Sequence, residues 1–189
     1  MMETVEDIPR EAIMSGLPWD WEQYGEYLSS ISEKPTAINV AGLVGHSAIR
    51  YYVMGDRSFA DQASDEEKEQ MAEIVAKSLE SGAFGFSTNR FEPHKAPDGR
   101  SIPGTFADPE ELAVISKAVA QRNGLMQAVG ATQDVMEAIA DAGSRLLFSF
   151  GTKAEPGAGA KSAQWLEEFS EGRDVNAITL VRSSGLLFG

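Results

Sequence analysis

The side chains that could move a proton or hold an anion gather in two stretches of this 189-residue chain. One is Gly45-His46-Ser47-Ala48-Ile49-Arg50. The other runs from Ser87-Thr88-Asn89-Arg90 through His94, Lys95 and Asp98-Gly99-Arg100 to Pro103-Gly104-Thr105. Each follows an apolar run, so each is expected where a buried strand releases its chain at the C-terminal end, the position of a barrel-type active-site rim. His46 and His94 are the two histidines and lie 48 positions apart, with neither His-x-His nor HExxH. A self-contained catalytic zinc site needs three protein ligands as a rule, and this spacing supplies no such set. The ordinary reading of each histidine is therefore a non-ligand. No G-x-S-x-G elbow is present to promote a serine to nucleophile. The acidic residues fall almost entirely on helix starts or solvent faces, where they cap and solubilise. No carboxylate pair stands out for acid–base work.

A third stretch imitates a phosphate loop. An apolar strand at Leu146 to Phe150 leads through Gly151 to Ala160 into a helix opening at Lys161-Ser162. The pattern G-x-x-x-x-G-K-[ST] fails, because Glu155 and Ala160 occupy its two glycine positions. An anionic side chain and a Cβ there oppose the close backbone approach that a phosphate requires, which argues against nucleotide hydrolysis.

The elements that must position these groups follow from periodicity. Met1 to Trp21 shows no clear period. Asp20 caps an expected helix to about Ser32, with Trp21, Tyr24, Tyr27, Leu28 and Ile31 as its core-facing stripe. Ala37 to Val44 reads as a strand. Ser64-Asp65-Glu66-Glu67 is a capping box opening a helix with Met71, Ile74, Val75 and Leu79 on one face, stopped at Gly82. Ala83 to Phe86 reads as a buried strand, followed by the long loop. Asp108-Pro109-Glu110-Glu111 starts the next helix, with Asp as cap and Pro at the first helical position; Leu112, Ile115 and Val119 form its stripe. Strands at Leu125–Val129, Arg145–Phe150 and Asn176–Val181 alternate with helices at Thr132–Ala142 and Ser162–Glu171. Arg145 to Phe150 lacks alternation, so burial on both faces is expected. The sum is an α/β chain with five parallel strands and intervening helices, either an open doubly wound sheet or part of a (β/α)8 barrel. A whole barrel needs roughly 250 residues, so a barrel of this length would be partial.

Composition excludes several partners. Sixteen Lys and Arg against 29 Asp and Glu leave a net charge of −13, which argues against nucleic acid and anionic membrane. No apolar run is long enough to span a bilayer, and no basic-then-apolar start marks a signal peptide. The absence of cysteine removes disulfides and thiolate metal sites and fits a reducing cytoplasm.

Four segments together resemble the amidohydrolase superfamily in its N-acyl-D-amino-acid deacylase (D-aminoacylase) branch. Met2-Glu3-Thr4-Val5-Glu6-Asp7-Ile8-Pro9, with Trp19-Asp20-Trp21-Glu22 and Tyr27-Leu28, looks like the segment after the third barrel strand. Gly45-His46-Ser47-Ala48-Ile49-Arg50 with Val53-Met54-Gly55 is similar to the family's "GH-x-x-(I/L)-R" and "(V/T)MG". Gly82-Ala83-Phe84-Gly85-Phe86-Ser87-Thr88 resembles its "GA-x-GFST" strand. Asn89-Arg90, His94, Asp98-Gly99-Arg100 and Pro103-Gly104-Thr105-Phe106-Ala107 extend the likeness. It is strong from residue 2 to about residue 122 and looser to Gly189.

The resemblance implies a partial TIM barrel, residues 1–189 forming the central part of a metal-dependent hydrolase domain incomplete at both ends. It implies a non-peptide C–N bond as target, the amide of an N-acyl-D-amino acid, opened by metal-activated water. Zinc is the implied metal of the full-length protein. The family's paired histidines and its Asn-Cys-Gly turn would precede Met1, its late catalytic Asp would follow Gly189, and Leu125–Val129 and Leu147–Phe150 hold no histidine. No catalytic residue and no metal ligand therefore carries over to this chain, which is expected to be inactive alone. His46, Arg50, Arg90 and His94 match motif positions and are the expected substrate-binding or supporting residues, Arg being suited to a substrate carboxylate. The expected partner is a small N-acyl amino acid, and exposed sheet edges offer a route to self-association. The competing reading is a non-catalytic α/β binding domain or relic.

Overall fold

A computed structural model describes residues 8–34, 37–149 and 156–178. Two helices, α1 (Arg10–Gly16) and α2 (Tyr24–Ser32), precede the sheet. Five units follow: β1 (Leu43–Gly45), α3 (His46–Met54) with a 3-10 turn at Gly55–Phe59, α4 (Asp65–Glu80), β2 (Gly85–Asn89), α5 (Pro109–Ala120), β3 (Leu125–Val129), α6 (Gln133–Asp141), β4 (Arg145–Ser149), α7 (Ala158–Ser170) and β5 (Val175–Ile178).

All strand pairs are parallel and the order is β1-β2-β3-β4-β5, so each strand lies beside its chain neighbours. A doubly wound sheet reverses direction at a switch point. This one does not, and right-handed crossovers of constant direction place every connecting helix on the same face. The fold is an arc of a (β/α)8 barrel.

Burial agrees with that geometry. Phe86, Met126 and Leu146 stand in register across three strands, as do Thr88, Ala128 and Phe148, and all six are buried. They meet Met71 and Val75 of α4, Leu112, Ile115 and Val119 of α5, and Val135, Met136 and Ile139 of α6 in one core. The alternate row, Ser87, Gln127 and Leu147, is only half-buried and lines the concave face. Burial of Arg145–Phe150 on both faces is therefore corrected: Leu146 and Phe148 are covered, Leu147 and Ser149 are not, and Phe150 lies outside the described residues.

Several element boundaries move for identifiable reasons. The expected strand at Ala37–Val44 shrinks to Leu43–Gly45: Ile38 and Val40 are 74% and 60% exposed, and the register with β2 begins at Leu43. Arg10–Gly16 is helical where no period was read, with no buried residue to create one. α2 starts at Tyr24 rather than after Asp20, because Gln23 and Glu26 supply a reciprocal capping box. Its aromatic stripe is half-buried and forms a cluster, Trp21 lying 5.2 Å from Tyr27 and Tyr24 5.5 Å from Tyr27. α7 begins at Ala158, inside the expected loop, and β5 is described only to Ile178. The capping boxes at Ser64 and the Asp108 cap stand where expected.

Glycine decides how closely β2 and β3 approach. A Cβ on Gly85 would fall on the Leu125 carbonyl, whereas one on Gly159 in α7 would meet open space. Gly85→Ala is expected to lower the melting temperature sharply or abolish soluble expression. Gly159→Ala is expected to raise stability by about 0.5–1 kcal/mol in thermal denaturation. Equal tolerance of both would contradict the β2–β3 spacing.

Candidate functional site

β1 ends at Gly45, which caps α3, so the chain turns at once and His46 to Arg50 are helical. His46 and Arg50 then sit one turn apart on a single face of α3. That face meets the first turn of α5, where the Asp108 side chain accepts a hydrogen bond from the Glu111 amide at 2.7 Å. The result is a buried carboxylate. Glu111 is 0% exposed, His46 2% and Arg50 3%.

His46 Nε2 lies 2.7 Å from Glu111 Oε1, and Arg50 Nε donates to the same oxygen at 3.0 Å. The rest of the Arg50 fork is also used, Nη1 donating to the Ser58 carbonyl and Nη2 to the Asp61 carbonyl at 2.7 Å. His46 Nδ1 is 2.9 Å from Thr88 Oγ1 on β2. Burial pushes His46 below its usual range, opposed by Glu111 and reinforced by Arg50 and Arg90. For Glu111, burial acts upward but is outweighed by His46 and Arg50, leaving the carboxyl below its usual range. Both directions describe a neutral His46 beside an ionised Glu111, whose charge is balanced by Arg50. The tautomer follows: Nε2–H donates to Glu111, and Thr88 Oγ1–H donates to Nδ1.

Arg90 and His94 occupy the rim. Arg90 follows the last residue of β2, and its amide donates to the Val129 carbonyl at 2.8 Å, continuing the ladder by one step. Its Nη1 donates to the Gly104 carbonyl at 3.2 Å, and it forms no ion pair within 4.0 Å among the described residues. Burial pulls its guanidinium below its usual range, while Asp134 and Glu111 favour the charge. His94 Nδ1 accepts from Asn89 Nδ2 at 2.6 Å, which leaves Nε2 as its donor, and the ring packs edge-on to Phe91 at 5.1 Å. Ser87 Oγ donates to Gln127 Oε1 at 2.8 Å on the concave face.

The four anticipated site residues thus divide into a buried pair, His46 and Arg50, and a rim pair, Arg90 and His94. Direct substrate contact by His46 or Arg50 is disfavoured here, because both are covered and their polar atoms are satisfied by protein groups. The residue missed was Glu111. Its place in an Asp-Pro-Glu-Glu helix start marked it as a surface cap, yet it lies one position before Leu112 on the buried edge of the apolar stripe. Among the described residues no group of three or more His, Cys, Asp and Glu side chains could hold a metal ion. No helix there is long and apolar enough to cross a membrane.

Acid is expected to loosen the fold. His46, depressed in the fold, contributes stability above its unfolded value near 6.5 and loses it as pH falls below that. Glu111, also depressed, contributes above about 4.5 and loses it on further acidification. Melting followed by circular dichroism should fall between about pH 7 and 5.5 and more steeply below 4.5. His46→Gln should melt lower at pH 7, by about 1–3 kcal/mol, but with a flatter profile down to about pH 5.5. An unchanged slope in that variant would contradict a neutral His46.

No protein-family profile matches the chain. Individual proteins do. D-aminoacylase from Alcaligenes xylosoxydans xylosoxydans is 31% identical over 117 residues, covering 62% of this chain and 22% of that protein. N-acyl-D-aspartate deacylase from the same organism is 31% identical over 123 residues, covering 64% and 22%. N-acyl-D-glutamate deacylase, again from that organism, is 34% identical over 99 residues, covering 52% and 18%. The chain therefore spans about a fifth of the length of these curated relatives. Among solved structures, N-acyl-D-glutamate deacylase from Bordetella bronchiseptica, complexed with zinc and a phosphonate inhibitor that mimics the tetrahedral intermediate, superposes with a TM-score of 0.65 at 23% identity. It covers 82% of this chain and 33% of that one, a likeness of fold. By sequence this chain is a homologue of D-aminoacylase and of the N-acyl-D-aspartate and N-acyl-D-glutamate deacylases, matched along one stretch of those proteins.

Proposed function

We propose that this chain is the central part of a metal-dependent hydrolase barrel domain, and that it supplies the substrate-carboxylate subsite for cleaving an N-acyl-D-amino acid. The observation that carries this reading is Arg90, a half-buried guanidinium at the C-terminal rim of β2 without an ion-pair partner among the described residues. Removing a cation from water is unfavourable unless an anion compensates it. A substrate carboxylate placed there receives two parallel donors from the Arg fork. His94 Nε2–H, oriented by Asn89, is the neighbouring donor and serves a carboxylate or amide oxygen.

Zinc, implied for the complete enzyme, would polarise the amide carbonyl and activate water. The described residues do not form a ligand set for it: His46 is sealed between Thr88 and Glu111, and His94 Nδ1 is held by Asn89. The work assigned to this stretch is accordingly binding and orientation, with turnover by the isolated chain not expected. The same commitment of both histidines favours, as second reading, a non-catalytic domain that binds the same small anion.

Calorimetric titration of the chain with N-acetyl-D-glutamate, N-acetyl-D-aspartate and their uncharged diamides tests the subsite. Binding that depends on the carboxylates is expected, weakened about 10- to 100-fold in Arg90→Ala and only partly restored by Arg90→Lys. Affinity indifferent to Arg90, or no binding at all, would sink the proposal. Hydrolysis by the isolated chain with added zinc would overturn the expectation of inactivity and exclude the non-catalytic reading.

A further inference from the structure

The buried cluster and the rim are joined by a short chain of contacts. The ring of His46 presses on the turn at Gly104, where an added Cβ would lie 2.6 Å from His46 Nδ1. Gly104 adopts φ +93, a conformation that disfavours any other residue. The turn is closed by Thr105, whose amide and hydroxyl both donate to the Ile102 carbonyl at 3.1 and 2.8 Å. Ser47, the next residue of α3, fixes it from the other side by donating to the Pro103 carbonyl at 2.7 Å. The carbonyl that this turn presents, that of Gly104, is the one that receives Arg90 Nη1. His46 also reaches β2 directly through Thr88, two residues before Arg90.

We infer that Glu111 and His46 are positioning residues for Arg90. Glu111 orients the imidazole, the imidazole and Ser47 hold the Pro103-Gly104 turn, and the turn's carbonyl aims the guanidinium at the rim. A carboxylate buried in the α3–α5 seam thereby sets the geometry of the anion subsite without touching the ligand. The inference rests on the reading of Arg90 as a carboxylate subsite, but its first readout does not need a ligand. A half-buried guanidinium left free to rotate meets an anion poorly, since pre-organisation of the fork supports bidentate binding.

The test is nuclear magnetic resonance on the chain, using the Arg90 Nη–H signals, of which Nη1 is the donor to the Gly104 carbonyl, assigned through loss in Arg90→Lys. Glu111→Gln, close in shape but uncharged, should speed exchange of the Arg90 Nη protons about tenfold and reduce the preference for N-acetyl-D-aspartate over its diamide about five- to tenfold, with diamide affinity unchanged. Since Gln at 111 leaves Arg50 a poorly compensated buried cation, Ser47→Ala provides a second variant that leaves the ion pair intact. It should move both readouts in the same direction, about two- to fivefold. Unaltered Arg90 exchange in both folded variants, or in Ser47→Ala alone if Glu111→Gln does not fold, would overturn the positioning role. If the wild-type chain shows no preference for the carboxylate, the subsite reading fails while the exchange measurement still decides whether Glu111 and Ser47 hold Arg90.

Discussion

The carboxylate of Glu111 must be charged and dry at once, and much of the local architecture answers that requirement. Removing a carboxylate from water costs several kcal/mol even after relaxation. Arg50 returns part of this as a charged partner 3.0 Å away, and neutral His46 returns part as a 2.7 Å hydrogen bond. Each partner is itself satisfied elsewhere, Arg50 by the carbonyls of Ser58 and Asp61 and His46 by Thr88. The cluster therefore ties α3, the 3-10 turn, α5 and β2 together with directional bonds, where apolar packing alone would tolerate sliding. Losing Glu111 or Arg50 leaves the other as an uncompensated buried charge, at a cost of about 3–5 kcal/mol, whereas losing the neutral His46 removes only its hydrogen bonds and costs less.

This rigidity lies directly beneath the rim. Parallel strands in constant order place every helix on one face and leave the C-terminal ends of β1 and β2 beside one another, Gly45 pairing with Ser87. His46 and Arg90, far apart in the chain, consequently emerge on neighbouring strands. One turns back into the helix layer, and the other stays near solvent. The division between a buried, satisfied half and a half-exposed, underused half is what makes Arg90 stand out. A cation held by a single backbone carbonyl is a poor structural device, whereas Arg50, with its whole fork committed, is a good one.

Much of this organisation was legible in the chain. Helical periods of Met71-Ile74-Val75-Leu79 and Leu112-Ile115-Val119, the Ser64 box and the Asp108 cap are local signals, enforced by backbone hydrogen bonding within a few residues, and they appear where expected. Strand and helix alternation carried the α/β class. Local signals failed where burial depends on a remote neighbour. Ala37–Val44 has a strand's composition, yet Ile38 and Val40 stay exposed and pairing with β2 begins only at Leu43. Arg145–Phe150 looked doubly covered because apolar content does not reveal that helices line only one face.

The residues at the candidate site show the same limit most clearly. Composition and motif order determined the charge balance, the helix caps and the kinship of the Gly-His-Ser-Ala-Ile-Arg and Gly-Ala-Phe-Gly-Phe-Ser-Thr segments, since each is a property of consecutive residues. Only the tertiary structure decided that Glu111 is a buried counter-ion, that His46 is neutral, and that Arg50 is spent within the protein while Arg90 is not. A side chain's charge state and availability depend on which groups surround it, and those groups come from segments some 40 to 65 positions away, joined by the crossovers of the sheet.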